Sequence, residues 1–381
     1  MGANFWKKLE SGRIDWILLM ALLPILGAGL VTMNSFTGDE NFFTRQLLWI
    51  GISLVVFFFF SFVDIRFVKR TNVIMTLYGI GVALLLSLFV IGSTIKGATS
   101  WINLGAFSLQ PSDPMKIILI LLLAKYFSRR HMEIKNPKHI IVSGVYFLIP
   151  FALIFMQPDF GSAAILFMVW FGIVVVAGIS KKHLALILGA ITLTAAAMWM
   201  FVLQPYQQDR ILSFLDPLAD IQGTGYNAYQ STIAVGSGQL VGKGVGFGTQ
   251  SRLKFLPEYQ TDFIFAAFAE EWGFVGSILL LLLVSVVVWR ILRIANLAAT
   301  NFETLFAVGF AIMIMSHVLI NVGMNIGLLP VTGITLPFLS YGGSHLLTLF
   351  AGLGMLMSMR SYGRSARRDV IQKEALDSIE I

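Results

Sequence analysis

The chain has no cysteine, which excludes disulfide bonds and thiolate metal sites. Charge is also scarce: Asp, Glu, Lys and Arg make up 12% of its 381 residues, about half the share usual in soluble domains. With 57% apolar residues and a mean hydropathy of +0.81, a chain this long cannot fold as a soluble domain, so its solvent is the bilayer. Acidic residues number 20 against 27 basic ones, for a net charge of +7. The cations are spread between apolar runs rather than gathered in a basic domain, which argues against nucleic acid as a partner. No internal repeat is visible, which weighs against the repeat-built transporter folds.

What the chain does have is a series of apolar runs long enough to cross a hydrocarbon core. Ten are expected, at 15–33, 46–63, 73–93, 114–128, 139–157, 161–178, 183–203, 263–289, 303–327 and 344–360. The first follows a polar, basic opening and lacks a small-residue cleavage pattern, so it reads as a retained span rather than a signal peptide. The expected fold is all-α and polytopic, a single membrane domain over 1–381 with short tails. Placing both termini in the cytoplasm puts twenty of the 27 Lys and Arg on the inner side, as the positive-inside rule requires. The 204–262 segment between spans seven and eight then faces outward, and an excursion of that length is commonly functional. Within it Ala228, Tyr229, Ile233, Ala234 and Leu240 have helical spacing suited to the interface.

That segment ends in Leu256-Pro257-Glu258-Tyr259-Gln260-Thr261-Asp262, which puts a carboxylate at the lip of the eighth span. Ionisable residues at such positions are costly and usually functional, although Asp262 also suits a helix N-cap. Glu270 and Glu271 fall off its helical stripe and are expected to serve packing. Ser112-Asp113-Pro114 has the residues of a helix start, with Gln110 and Lys116 close by, and an acid and a cation at one membrane level can pair or engage a charged headgroup. Gln157-Pro158-Asp159-Phe160-Gly161 suits a tight outer turn. The glycines between 236 and 248 are spaced one residue short of a P-loop, and Gly244 stands where that motif needs Ser or Thr. Nucleotide is therefore not the expected ligand, but flexible backbone near Lys243 can still approach a pyrophosphate. His317, with no acid or His at ligand spacing, reads as a packing histidine.

Taken in order, several stretches resemble the SEDS family of bacterial cell-wall membrane proteins. They are Lys96-Gly97-Ala98 with Trp101, Gln110-Pro111-Ser112, Gln157 to Gly161, Tyr206-Gln207 with Arg210, Leu215-Asp216-Pro217, Gly225-Tyr226, Gln230-Ser231, Leu256-Pro257-Glu258, Thr261 to Ala266, Glu270-Glu271, and Leu336-Pro337 with Ser340 to Ser344. Gly242-Lys243-Gly244 followed by Gly248-Thr249-Gln250-Ser251 resembles the RodA branch more than the FtsW branch. The resemblance implies a peptidoglycan glycosyltransferase that polymerises lipid II at the outer face of the cytoplasmic membrane during elongation and shape maintenance. Its implied partners are a class B penicillin-binding transpeptidase and other membrane proteins of the elongation complex. The family's essential acid matches Asp262. Three positions depart from the family pattern: Ser100 for Arg, Asp113 for Glu and Gln260 for His. The first removes a cation from its loop, and the second shortens a carboxylate, so that its pairing requires the backbone to move inward.

The chemistry agrees with this topology. A lipid-linked sugar pyrophosphate keeps its tail in the bilayer and its sugar in water, so the site belongs where segment 204–262 joins the eighth span. Pyrophosphate is a good leaving group that needs charge neutralisation more than a general acid. One base therefore suffices for an inverting transfer, and Asp262 is assigned that role for the incoming GlcNAc 4-hydroxyl. Arg210, Lys243 and Lys116 are the expected pyrophosphate contacts, with Trp101, Asp113, Asp159 and Glu258 completing the substrate-binding set. A divalent cation, Mg or Mn, can share the neutralisation. The competing functions are a lipid II flippase, which calls for charges at mid-membrane, and a non-catalytic scaffold of the wall-synthesis complex, against which Asp262 argues.

Overall fold

A computed structural model describes residues 12–35, 41–95, 98–103, 108–129, 137–201, 225–253 and 255–377, with Gln208 and Leu212. Each of the ten apolar runs forms a helix. We label them α1 (Trp16–Asn34), α2 (Phe42–Phe62), α3 (Thr71–Ile91), α4 (Ser112–Ser128), α5 (Pro137–Met156), α6 (Phe160–Ala177) and α7 (Lys181–Phe201). After these come a shorter helix α8 (Tyr226–Ser237), then α9 (Ile264–Asn296), α10 (Asn301–Asn325) and α11 (Gly343–Asp377). Among the described residues, eight helices have the length and hydropathy to cross a membrane. The other two expected spans, the fourth and the tenth, correspond to α4 and α11.

The pattern of burial is that of a bundle in lipid. On α2, Gln46, Ser53 and Ser61 are buried while Leu48, Val55, Phe59 and Phe62 are exposed. Polar side chains thus turn into the bundle and apolar ones face the hydrocarbon. Gln46 donates from Nε2 to Ser340 O at 3.1 Å, and Ser61 Oγ donates to Phe57 O at 2.7 Å. α4 is enclosed by α3, α6 and α10, and Leu119 to Ala124 are almost wholly buried. At the end of the bundle away from α8, buried Asp15 pairs with Arg290 at 2.6 Å and Arg360 at 3.3 Å. Buried charges need such partners, and this trio ties the start of α1 to α9 and α11.

α9 is broken at Gly273, whose φ of 69° and ψ of −169° interrupt the helix. A break frees backbone groups that must be satisfied elsewhere. The carbonyls of Glu270 and Glu271 accept from the amides of Lys243 and Gly244, both at 3.0 Å, and the amides of Phe274 and Val275 donate to Gln239 O and Leu240 O at 2.8 and 3.0 Å. Only glycine fits this approach: a Cβ on Gly242, at φ 83°, would stand 2.1 Å from Glu271 O. Gly238, Gly242 and Gly244 thus serve the close approach of this segment to the backbone of a broken helix.

Two expectations about the loops are corrected. A three-stranded antiparallel sheet, β1 (Ser93–Ile95), β2 (Ala98–Asn103) and β3 (Ser108–Leu109), lies between α3 and α4 where no strand was expected. β1 and β3 are too short for alternation to reveal them, and the six residues of β2 do not alternate between apolar and polar. The described part of segment 204–262 is also folded onto the bundle: α8 buries Ser231 and Ala234, and Ser231 Oγ donates to Asn325 O at 2.9 Å. Leu240 lies beyond α8 and is exposed.

Candidate active site

At the end of the bundle that carries α8, a cavity of about 810 Å³ opens between the sheet, the start of α4, α8, the lip of α9 and the loop 326–342. Its walls include Trp101, Asp113, Lys116, Asp159, Glu258 and Asp262, six residues that the sequence scatters over 162 positions (Trp101 to Asp262).

Asp262 is half-buried in the turn before α9, and Phe263, not Asp262, takes the N-cap position. The turn is held from beneath. Asn321 and Asn325, one helical turn apart on α10 and wholly buried, both donate from Nδ2 to Asp262 O, at 2.8 and 3.1 Å. Asn321 also donates to Ile334 O at 2.6 Å, and Asn325 Oδ1 accepts from Ala266 N at 3.2 Å. Ser340 Oγ donates to Thr261 O at 2.7 Å, and Tyr341 N donates to Gln260 O at 2.9 Å. Glu258 adopts φ 51°, so that its carbonyl accepts from Thr261 and Phe263 while Oε2 accepts from Thr261 Oγ1 at 3.2 Å and Gln260 Nε2 at 3.3 Å.

On another wall, Asp159 caps α6 by accepting from Ser162 N at 3.0 Å, and its Oδ2 accepts from Gln110 Nε2, also at 3.0 Å. Deeper in, Lys116 Nζ lies 3.0 Å from Asp113 Oδ1. The pairing expected to need an inward shift of backbone is met within a single turn of α4, because positions three apart share a helix face. His345 Nδ1 is 3.5 Å from the same oxygen, and the ring centroids of His345 and His317 are 4.5 Å apart. Among the described residues the lining therefore holds four carboxylates, two imidazoles and one ammonium group.

Lys243, expected as a pyrophosphate contact, is not part of this lining. Its Nζ donates to buried Glu270 at 2.7 Å and to Thr249 Oγ1 at 2.9 Å. Glu270 also accepts from the amides of Thr249 and Gln250, and Glu271 accepts from Ser35 Oγ and from Gly246 N at 3.0 Å. These two acids organise the glycine-rich segment, and the charge of Lys243 balances one of them. Arg210 lies outside the described residues. Among those residues no three carboxylate or imidazole groups are arranged to hold a metal ion.

Residues 12–365 match the sequence profile of the FtsW, RodA and SpoVE cell cycle proteins. The chain belongs to this family. It is 39% identical over 363 residues to the Bacillus subtilis stage V sporulation protein E, covering 92% of this chain and 98% of that protein. To the Escherichia coli K12 peptidoglycan glycosyltransferase MrdB it is 34% identical over 369 residues, covering 96% and 98%. Among solved structures it resembles a chain from work on the structural coordination of polymerization and crosslinking by a peptidoglycan synthase complex, with a TM-score of 0.79, 31% identity and coverage of 92% and 98%. It likewise resembles the Thermus thermophilus rod shape determining protein RodA, with a TM-score of 0.69, 29% identity and coverage of 91% and 96%. The relatives include sporulation, FtsW and MrdB proteins and do not separate the branches.

In this member of the FtsW, RodA and SpoVE family, sequence reasoning missed His345, Asn321 and Asn325. His317 had been read as isolated because its neighbour in space is 28 positions away on another helix. The one signal for the two asparagines was their i, i+4 spacing inside an apolar span, where polar side chains seek partners.

Proposed function

We propose that the protein is a peptidoglycan glycosyltransferase that polymerises lipid II at the outer face of the cytoplasmic membrane. The observation that carries this reading is the meeting of Asp262 and Lys116 on one cavity at the end of the bundle, where a lipid-linked donor reaches both bilayer and water. The cavity is of the size usual for small-molecule sites, so it takes the reacting sugars and pyrophosphate while the glycan strand extends outside.

In the transfer, the oxygen of the acceptor GlcNAc 4-hydroxyl bonds to C1 of the donor. Its proton passes to Asp262, and the C1–O bond to pyrophosphate breaks with its electron pair leaving on the phosphate oxygen. Attack opposite the leaving group inverts C1. Asp262 needs a fixed position within hydrogen-bond reach of that hydroxyl, and the two asparagines under its carbonyl supply the fixed backbone. Lys116 faces the departing charge. Asp159 and Glu258 have acceptor oxygens suited to sugar hydroxyls, and Trp101 offers an apolar face. Arg210 belongs to the same pyrophosphate-binding reading. Any Mg or Mn arrives with the substrate, since such ions are commonly held by phosphates plus one or two carboxylates.

The distribution of Lys and Arg supports an orientation with both termini cytoplasmic, and the likeness to a synthase-complex chain supports a class B transpeptidase as partner. The pattern at 242–251 favours elongation over division. The test is purified protein in detergent with lipid II, with and without the transpeptidase. Glycan strands are expected. No polymer in detergent together with lipid II translocation in liposomes would favour the flippase.

A further inference from the structure

The inner wall of the cavity carries an arrangement that the transfer as described leaves unused. Ser100 Oγ, Asp113 Oδ2, His317 Nε2 and His345 Nε2 are buried atoms without a hydrogen-bond partner in the structure, and all four residues line the cavity. Their residues are at least nine-tenths buried, from 1% exposure at His317 to 8% at His345. Buried polar atoms are rarely left unpaired in native proteins, and those of Asp113, His345 and His317, grouped by the contacts of His345 with the other two, indicate a place built for a polar ligand.

The ring partners identify the ligand's charge. His345 Nδ1 faces the Asp113 carboxylate at 3.5 Å, and a carboxylate accepts, so Nδ1 carries a hydrogen. His317 Nδ1 faces Thr335 O at 3.3 Å, a carbonyl that also only accepts. In the neutral rings both Nε2 atoms are then lone pairs. The groups facing this pair are Asp113 and Lys116 from α4, with Tyr341, Asp159, Glu258 and Asp262 elsewhere on the lining. Lys116 is the one ammonium group among the described lining residues, set against four carboxylates. Among the described lining residues a pyrophosphate meets a single ammonium group, and an imidazole that takes up a proton adds a second positive charge beside it.

We propose that His345 binds the pyrophosphate as an imidazolium, with Nδ1–H on Asp113 and Nε2–H on a phosphate oxygen, and that His317 supports the ring beside it. An imidazole with an anion at each nitrogen needs both hydrogens, so substrate binding draws one proton into the site. When the C1–O bond breaks, the oxygen that gains the electron pair receives this hydrogen bond, and the proton stays on Nε2. Asp262 takes the acceptor's proton as before. This deepens the glycosyltransferase reading and rests on it for the identity of the pyrophosphate donor.

The test uses full-length protein in detergent. Inorganic pyrophosphate affinity is measured by calorimetry, and lipid II KM and kcat by polymerisation, across the histidine range of about pH 5 to 8. For the parent protein, KM is expected to rise with pH by up to about tenfold per unit, the limit for uptake of one proton, with kcat changing less. His345→Gln keeps a donor but not the charge, and is expected to raise KM at low pH and flatten the profile. His345→Arg is expected to restore low KM without pH dependence. A His345→Gln profile that parallels the parent's, or parent pyrophosphate binding that does not weaken with pH, overturns the proposal. Parent protein that binds pyrophosphate in this pH-dependent way yet makes no polymer would instead sink the glycosyltransferase reading.

Discussion

At the scale of single residues, the base assigned to Asp262 separates from a structural role by substitution. Asn has nearly the shape of Asp but is no base at neutral pH. Asp262→Asn is therefore expected to keep the melting temperature of the parent while losing about 10²- to 10⁴-fold in polymerisation of lipid II. Near-parental rates from well-folded Asp262→Asn protein would move the assignment to Asp159, which shares the cavity. Asp262 was legible in the sequence because a lone acid at the lip of an apolar run is conspicuous. His345 was not, since its meaning depends on Asp113, 232 positions earlier, and on a ring from a different helix. Lys243 misled because a cation among glycines resembles an anion site until its buried partner, Glu270, is seen.

At the scale of elements, the pair Asn321 and Asn325 makes α10 the seat of the active-site turn. Asn321→Ala removes one of the two donors to Asp262 O and the donor to Ile334 O. Leaving a buried acceptor unsatisfied costs about 1–3 kcal/mol, so a lowered melting temperature is expected. Polymerisation should fall as well, because the turn that aims Asp262 loses its support. Retained activity with unchanged melting would show that the carbonyls find other donors and that the clamp is incidental. Helix positions themselves were readable from apolar run lengths, but the break in α9 was not. Gly273 inside a helical pattern is common enough to carry no signal without the loop that pairs with it.

At the scale of the whole molecule, the helices over the ten apolar runs were plain because hydrocarbon thickness sets one length for every run. The three-stranded sheet and the folding of α8 onto the bundle were hidden, as both depend on contacts between distant segments. The orientation is open to a direct measurement, since the native chain has no cysteine. A single cysteine at exposed Val241 should react with an impermeant thiol reagent in intact cells, and one at exposed Lys181 only after the membrane is breached. The reverse pattern would invert the topology.

The break at Gly273 also bears on bilayer thickness. Beyond it, residues 274–296 of α9 form a rod roughly 34 Å long at 1.5 Å per residue, a little more than a typical hydrocarbon core of about 30 Å. A thinner membrane forces such a rod to tilt, and its first two amides are bonded to Gln239 and Leu240. Tilt is thereby passed to the segment that leads into the Asp262 turn. In vesicles of defined lipids, polymerisation should accordingly depend on acyl-chain length, peaking where this rod fits and falling on either side. A flat response across chain lengths would mean that the broken helix absorbs the tilt.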